Sequence, residues 1–101
     1  IIYTLLYIRN HIHLSLTIYE LTDICFLSTD HFIRLFKKEM RITPTQYISR
    51  KKIERAQLML LTSVHPIKDI AYSLSFEDVS YFNRLFKKYT KKTPAKYKSK
   101  L

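Results

Sequence analysis

Apolar residues recur every three or four positions at the start of the chain. Because this spacing places the apolar side chains on one face of a helix, we predict a first helix over residues 1 to about 13. Arg9, Asn10 and His13 lie on its other faces. The predicted apolar stripe consists of Ile1, Leu5, Ile8 and Ile12.

Hydroxyl-bearing residues mark the starts of the next two helices. Thr17 and Glu20 have the spacing of a capping box, in which a hydroxyl and a carboxylate satisfy free amides at a helix start. This second helix is predicted to end near Cys25. Ser28 is suited to cap a third helix, because serine side chains accept hydrogen bonds from first-turn amides. Its predicted buried face consists of Phe32, Leu35 and Phe36.

A fourth, longer helix is predicted to begin at Thr43 and Pro44. Threonine caps it, and proline fits the first helical position because that position needs no amide hydrogen. Apolar residues carry the helix to about Leu61, so its roughly 18 residues span roughly 27 Å. We interpret it as a stiff spacer.

The second half of the chain repeats this order. A short helix after Pro66 has an apolar face of Ile67, Ile70, Ala71 and Leu74. Asp78 caps a sixth helix with Phe82, Leu85 and Phe86 inward, and Thr93 with Pro94 begins a last one. The fold class predicted from this pattern is all-α, with seven helices and no strand.

One 16-residue phrase occurs twice. Residues 32–47 (FIRLFKKEMRITPTQY) and 82–97 (FNRLFKKYTKKTPAKY) share nine identities at a constant offset of 50. Such a repeat indicates that one supersecondary unit was duplicated. A short helix, a tight turn and a second helix with basic residues outward form a helix-turn-helix unit. We therefore predict a first subdomain over 1–42, a linker helix over 43–62 and a second subdomain over 63–101.

The charge balance indicates a polyanionic partner. Eighteen Lys and Arg against eight Asp and Glu give a net charge of +10. Such an excess points to nucleic acid or an anionic membrane surface. No apolar run reaches the length of a membrane span, so we expect no membrane partner. The lone Cys25 can form no internal disulfide, which favours a reducing, cytoplasmic location.

Motifs for catalysis are missing from the sequence. There is no nucleophile with a spaced base, no glycine loop that cradles phosphates and no cluster of metal ligands. We therefore expect no enzyme activity, no cofactor and no metal.

Two sets of residues on the third and sixth helices are candidates for DNA contact, because phosphates and base edges need different side chains. Arginine can hold guanine in a bidentate pair, asparagine can hold adenine, and apolar groups can meet thymine methyls. Lysines on later turns suit backbone phosphates. The predicted base-reading residues are Thr29, Asp30, Ile33, Arg34, Val79, Ser80, Asn83 and Arg84, and the predicted backbone contacts are Lys37, Lys38, Lys87 and Lys88.

Several alternatives stay open. Arg34 and Arg84 can instead bind phosphate or form salt bridges within their subdomain, and the lysines can belong to a solvated surface. Tyr47 and Tyr97 are most simply core residues, with base stacking as the alternative. A second functional hypothesis is a protein-interaction module that docks RNA polymerase or a partner domain.

These motifs resemble the DNA-binding domain of AraC/XylS transcription regulators. The resemblance rests on residues 28–38 (STDHFIRLFKK), 43–56 (TPTQYISRKKIERA) and 70–97 (IAYSLSFEDVSYFNRLFKKYTKKTPAKY), and it covers nearly the whole chain. It implies a bacterial regulator, of the activator type, with two homeodomain-like helix-turn-helix units. They would insert recognition helices into successive major grooves of double-stranded DNA. It also implies a separate sensing, dimerisation or receiver domain.

The sequence departs from that family at a few positions. Each turn often carries glycine there, whereas this chain has Phe26 and Ser75, so we expect the turns to be distorted, the first more than the second. Lys52 stands where the family commonly has arginine. Successive major grooves repeat about every 34 Å, more than the spacer length, so two-groove binding predicts bent DNA or loose seating of one unit.

Overall fold

A computed structural model of the chain describes residues 1–99. It confirms an all-α fold, with seven helices and no strand in this range. The helices are α1 (Ile2–Asn10), α2 (Ile18–Cys25), α3 (Thr29–Met40), α4 (Pro44–Thr62), α5 (Ile67–Ser73), α6 (Val79–Thr90) and α7 (Pro94–Lys98).

The predicted caps hold the helix starts. The Ser28 hydroxyl accepts from the His31 amide at 3.3 Å, and the Asp78 carboxylate accepts from the Ser80 amide at 2.8 Å. At the start of α4 the capping box is complete in both directions. The Gln46 amide donates to the Thr43 hydroxyl at 3.2 Å, and the Thr43 amide donates to the Gln46 side chain at 3.1 Å. Local sequence therefore fixes where these helices begin.

The chain divides into two compact units within α4. The first unit is Ile1–Ser49 and the second begins at Arg50. Buried apolar residues form a separate core in each. The first core consists of Ile8, Ile12, Leu21, Phe32, Phe36 and Ile48. The second consists of Ile53, Ala56, Leu60, Ile70, Ala71, Leu74, Phe76, Phe82, Leu85 and Phe86.

Helix α4 is more than a spacer, because it supplies buried residues to both cores. Ile48 belongs to the first core, and Ile53, Ala56 and Leu60 belong to the second. Leu35, predicted on the buried face of α3, is partly exposed. It lies one turn from Phe32 and beside Phe36, at the edge of the face that these two rings bury.

The expected distortion of the turns was wrong. Phe26 has φ 56° and Ser75 has φ 66°, so both adopt the left-handed conformation that favours glycine. Each turn is closed by the same backbone bond. The Leu27 amide donates to the Thr22 carbonyl at 3.3 Å, and the Phe76 amide donates to the Ala71 carbonyl at 3.0 Å. The hydrogen bonds and packing of the turn therefore outweigh the conformational preference of a single residue.

Candidate nucleic-acid interface

Helices α3 and α6 each have one apolar face and one basic face. Phe32 and Phe36 are fully buried on α3, as Phe82 and Phe86 are on α6. The two rings of each pair lie four residues apart, on one face of the helix, and on α6 Leu85 is buried beside them. All four predicted backbone-contact residues, Lys37, Lys38, Lys87 and Lys88, are exposed.

The predicted base-reading residues fall into two groups. Five are exposed: Asp30, Arg34, Ser80, Asn83 and Arg84. Thr29, Ile33 and Val79 are partly buried, and the last two pack against the first and the second core respectively. Ile33 and Val79 thus keep only part of their surface for a thymine methyl. Their role in base reading stays a prediction.

Arg34 and Arg84 are the two exposed arginines of these helices. Among residues 1–99 neither forms a salt bridge, so the ion-pair alternative is not what the structure adopts. In the first unit Asp30, Ile33 and Arg34 line one open pocket. In the second unit the Arg84 guanidinium carbon lies 5.9 Å from the ring centroid of Tyr81, close enough for a cation–π contact.

The aromatic ring of Tyr89 has two cationic side chains close to it. The Arg50 guanidinium carbon lies 5.5 Å from the ring centroid of Tyr89, and the Lys88 ammonium lies 5.7 Å from it. The Tyr89 ring is partly buried against the second core. Lys51, next to Arg50, is engaged differently, because its ammonium pairs with the Glu54 carboxylate at 3.1 Å.

Sequence reasoning missed the role of Lys52. Its side chain is only 8% exposed, and its ammonium donates to the Leu74 carbonyl oxygen at 2.6 Å. It also lies 5.9 Å from the ring centroid of Phe76. Burial lowers the pKa of Lys52 to about 8. A signal for this burial was present, because Lys52 falls in a row with Ile48, Ala56 and Leu60 at intervals of four residues.

Tyr47 and Tyr97 are confirmed as core residues. Tyr47 packs edge-on against Phe36, and Tyr97 packs edge-on against Phe86, each with ring centroids 5.5 Å apart. Both rings are partly buried against their unit's core. The tyrosine after each Thr-Pro therefore anchors the following helix to the helix with the basic face.

Within residues 1–99, no three His, Cys, Asp or Glu side chains are grouped so that they could hold a metal ion. In the same range no helix combines the length and the apolar character needed to cross a membrane.

Comparison with known proteins places these features in a family. A family model described as a helix-turn-helix domain matches residues 21–100. LumQ, a probable transcriptional regulator of Photobacterium leiognathi, is 32% identical over 74 residues, which make up 73% of this chain. The chain spans only 30% of the length of LumQ.

Solved structures extend the likeness over most of the fold. The C-terminal domain of the two-component response regulator yesN from Fusobacterium nucleatum is 33% identical, with a TM-score of 0.88 over 94% of this chain and 93% of that chain. The DNA-binding domain of AdpA, a global transcriptional factor solved in complex with a target DNA, has the same fold. Its TM-score is 0.91 at 21% identity, over 96% of this chain and 87% of that chain. The chain belongs to the AraC-type family of helix-turn-helix domains.

Proposed function

We propose that this chain binds double-stranded DNA sequence-specifically through α3 and α6 and thereby regulates transcription. The observation that carries the proposal is the pair of exposed arginines, Arg34 and Arg84. They occupy the same position of two duplicated helices, and neither is held by a salt bridge with a described residue. An arginine left available in this way can take a base edge or a phosphate as its partner.

The two predicted sets of residues have separate roles in this proposal. The first set reads base edges: Thr29, Asp30, Ile33, Arg34, Val79, Ser80, Asn83 and Arg84. The second set, Lys37, Lys38, Lys87 and Lys88, binds backbone phosphates and supplies affinity without sequence preference. Successive major grooves are the proposed targets of α3 and α6.

The relatives support a regulatory role. LumQ carries the name of a transcriptional regulator, and the AdpA domain was solved on a target DNA. We extend the proposal to a cytoplasmic location, where bacterial DNA is found, and to a binding domain without catalytic activity. A sensing, dimerisation or receiver domain is the proposed companion in a full-length regulator.

The dependence of affinity on salt tests DNA binding directly. Each phosphate neutralised by the protein contributes a slope of about −0.9 to the logarithm of affinity against the logarithm of salt concentration. We expect a steep slope on a duplex selected from a random library, and a higher affinity for that duplex than for its shuffled sequence. A flat salt dependence, or equal affinity for both duplexes, contradicts the proposal.

A protein-interaction module is the second candidate. Exposed apolar side chains favour it, notably Ile2 and Tyr3 on α1 and Phe26 in the first turn. RNA polymerase is the proposed partner, because an activator of transcription must reach it. Capture of purified RNA polymerase by the chain without DNA supports this candidate, whereas capture only on a shared DNA duplex favours DNA binding.

A further inference from the structure

We infer that Arg50, Lys88 and Tyr89 form a binding site for one backbone phosphate, with the guanidinium supplied by α4 rather than by the helix-turn-helix. The inference rests on the proposed DNA binding and deepens it. It adds Arg50 and Tyr89 to a contact that sequence reasoning gave to Lys88 alone.

The geometry brings two cations from different helices to one ring. Arg50 lies on α4 and Lys88 on α6, and both charged groups lie within 6 Å of the Tyr89 ring centroid. The ring packs against the second core, so its position is fixed by the fold. Each cation is attracted to the electron-rich face of the ring, which favours the side-chain conformation seen in the structure. Because these contacts already order both side chains, each side chain loses less conformational entropy when it binds an anion.

The charges around the ring are not balanced by the described part of the protein. Neither Arg50 nor Lys88 forms a salt bridge within residues 1–99, although the neighbouring Lys51 is paired with Glu54. Both charged groups lie within 6 Å of the same ring centroid, so one anionic group beside the ring can accept hydrogen bonds from both side chains. The site is therefore suited to a single negative group.

The residue types select a phosphate. Guanidinium offers two parallel donors that match phosphate oxygens, and ammonium adds a compact charge. Lys88 lies on the last turn of α6, the helix whose earlier turns carry Ser80, Asn83 and Arg84. A duplex read by those side chains brings its sugar-phosphate backbone along the same helix, so the phosphate is that of the bound DNA.

The first unit does not repeat this site. The position that corresponds to Tyr89 is Glu39, an exposed acid, at the offset of 50 that relates the two helices. Lys38 therefore lacks the ring that orders Lys88. The inferred site belongs to the second unit alone, and Lys88 is expected to contribute more to affinity than Lys38.

The test compares charge-matched neighbours. We expect Arg50→Ala to weaken binding of the selected duplex about five- to tenfold at 0.1 M salt and to lower the salt slope by up to about 0.9, the share of one phosphate. The control Lys51→Ala removes the same charge from the adjacent position and should leave the slope unchanged. In the double variant Arg50→Ala with Lys88→Ala, the salt slope should fall by about 0.9 in total, the share of one phosphate. The two single effects should not add, because both side chains bind the same group.

A duplex with one uncharged methylphosphonate identifies the phosphate. Scanned along the backbone, one such linkage should weaken the wild-type protein and have no further effect on Arg50→Ala. Tyr89→Phe should bind like the wild type, and Tyr89→Leu should bind more weakly. Equal slopes for Arg50→Ala and Lys51→Ala on a protein with a steep wild-type slope overturn this inference and leave DNA binding intact. A flat wild-type slope overturns the proposed function itself.

Discussion

The ammonium of Lys52 donates a 2.6 Å hydrogen bond to the carbonyl oxygen of Leu74. Leu74 is the C-terminal cap of α5, where backbone carbonyls have no donor within their own helix. Lys52 lies on α4, so the bond ties α4 to the turn between α5 and α6. The orientation of the second helix-turn-helix therefore depends on a buried lysine outside it.

Replacing Lys52 should destabilise the second unit. Lys52→Met keeps most of the apolar stem but leaves the Leu74 carbonyl without this donor, which costs about 1 to 3 kcal/mol for a buried group. Denaturant unfolding at neutral pH measures the loss. Lys51→Met is the matched control, because Lys51 makes a salt bridge on the surface and such pairs contribute at most about 1 kcal/mol. Equal stability of the two variants contradicts this role.

The stability of the protein should also depend on pH through Lys52. Burial lowers the pKa of this group in the folded chain to about 8, against 10.5 for an ordinary lysine. Between these values the unfolded chain holds a proton that the folded chain has released, so the free energy of unfolding rises with pH. The contribution is lost below about pH 8 and complete above about pH 10.5. We expect an increase of about 1 kcal/mol between pH 8 and pH 9.

The pH effect is measured as a difference between two proteins. Other lysines and tyrosines titrate in the same range, and their effects cancel when Lys52→Met is subtracted from the wild type at each pH. The difference in unfolding free energy should grow from pH 8 to pH 10. A constant difference would show that Lys52 has an ordinary pKa in the folded chain.

The helices and their starts could be predicted because the signals for them are local. The Ser28 and Asp78 caps and the buried rings of α3 and α6 act within a few residues of one another. Lys52 could not be assigned in this way, because its partner Leu74 lies 22 residues later. The basic run around Lys52 reads as a solvated surface until the cores are known.

The sequence predicts which types of side chain lie on the candidate interface, but it does not predict which other side chains they contact. Arg34 and Arg84 occupy equivalent positions in the repeat, yet within residues 1–99 a cation–π contact is seen at Arg84, with Tyr81, and not at Arg34. The role inferred for Arg50 depends on its contact with Tyr89, 39 positions away in the chain. Contacts between helices decide which basic side chains are ordered. The residue pattern along one helix does not predict these contacts.

The left-handed turn at Phe26 offers a stabilising substitution. A residue with a Cβ atom is strained at φ 56°, and the Phe26 side chain is 93% exposed, so it buries almost nothing in return. Phe26→Gly should raise the free energy of unfolding by about 0.5 to 1 kcal/mol. Phe26→Ala separates the causes, because alanine removes the ring and keeps the Cβ atom. An equal gain for both variants would mean that the ring, and not the backbone, is the source of strain.

Arg34 and Arg84 should determine preference for particular bases. Replacement of either by alanine should reduce discrimination at one base pair by about 1 to 3 kcal/mol, which is roughly 5- to 150-fold in relative affinity. Lys37→Ala and Lys87→Ala should weaken binding to all duplexes by a similar factor. Competition among single-base variants of the selected site measures both effects. Uniform weakening by the arginine variants would assign Arg34 and Arg84 to phosphates.

Tyr81 should act as a positioning residue for Arg84. The Tyr81 ring lies against Phe76 at a centroid distance of 6.3 Å, and Phe76 packs against Phe82 of the core at 5.1 Å. The core thus holds the ring beside the guanidinium. Tyr81→Leu should therefore weaken discrimination at the base read by Arg84 and leave the salt slope unchanged, whereas Tyr81→Phe should preserve both.

The corresponding residue of the first unit provides the control for Tyr81. His31 stands at the equivalent position, and among residues 1–99 the cation–π contact of Arg84 has no counterpart at Arg34. His31→Leu should therefore leave discrimination by Arg34 unchanged. In the free protein, the side-chain NMR signals of Arg84 should show a ring-current shift that Tyr81→Leu removes and Tyr81→Phe retains. Unchanged Arg84 signals in Tyr81→Leu would mean that the ring does not hold the arginine, because this readout requires no DNA.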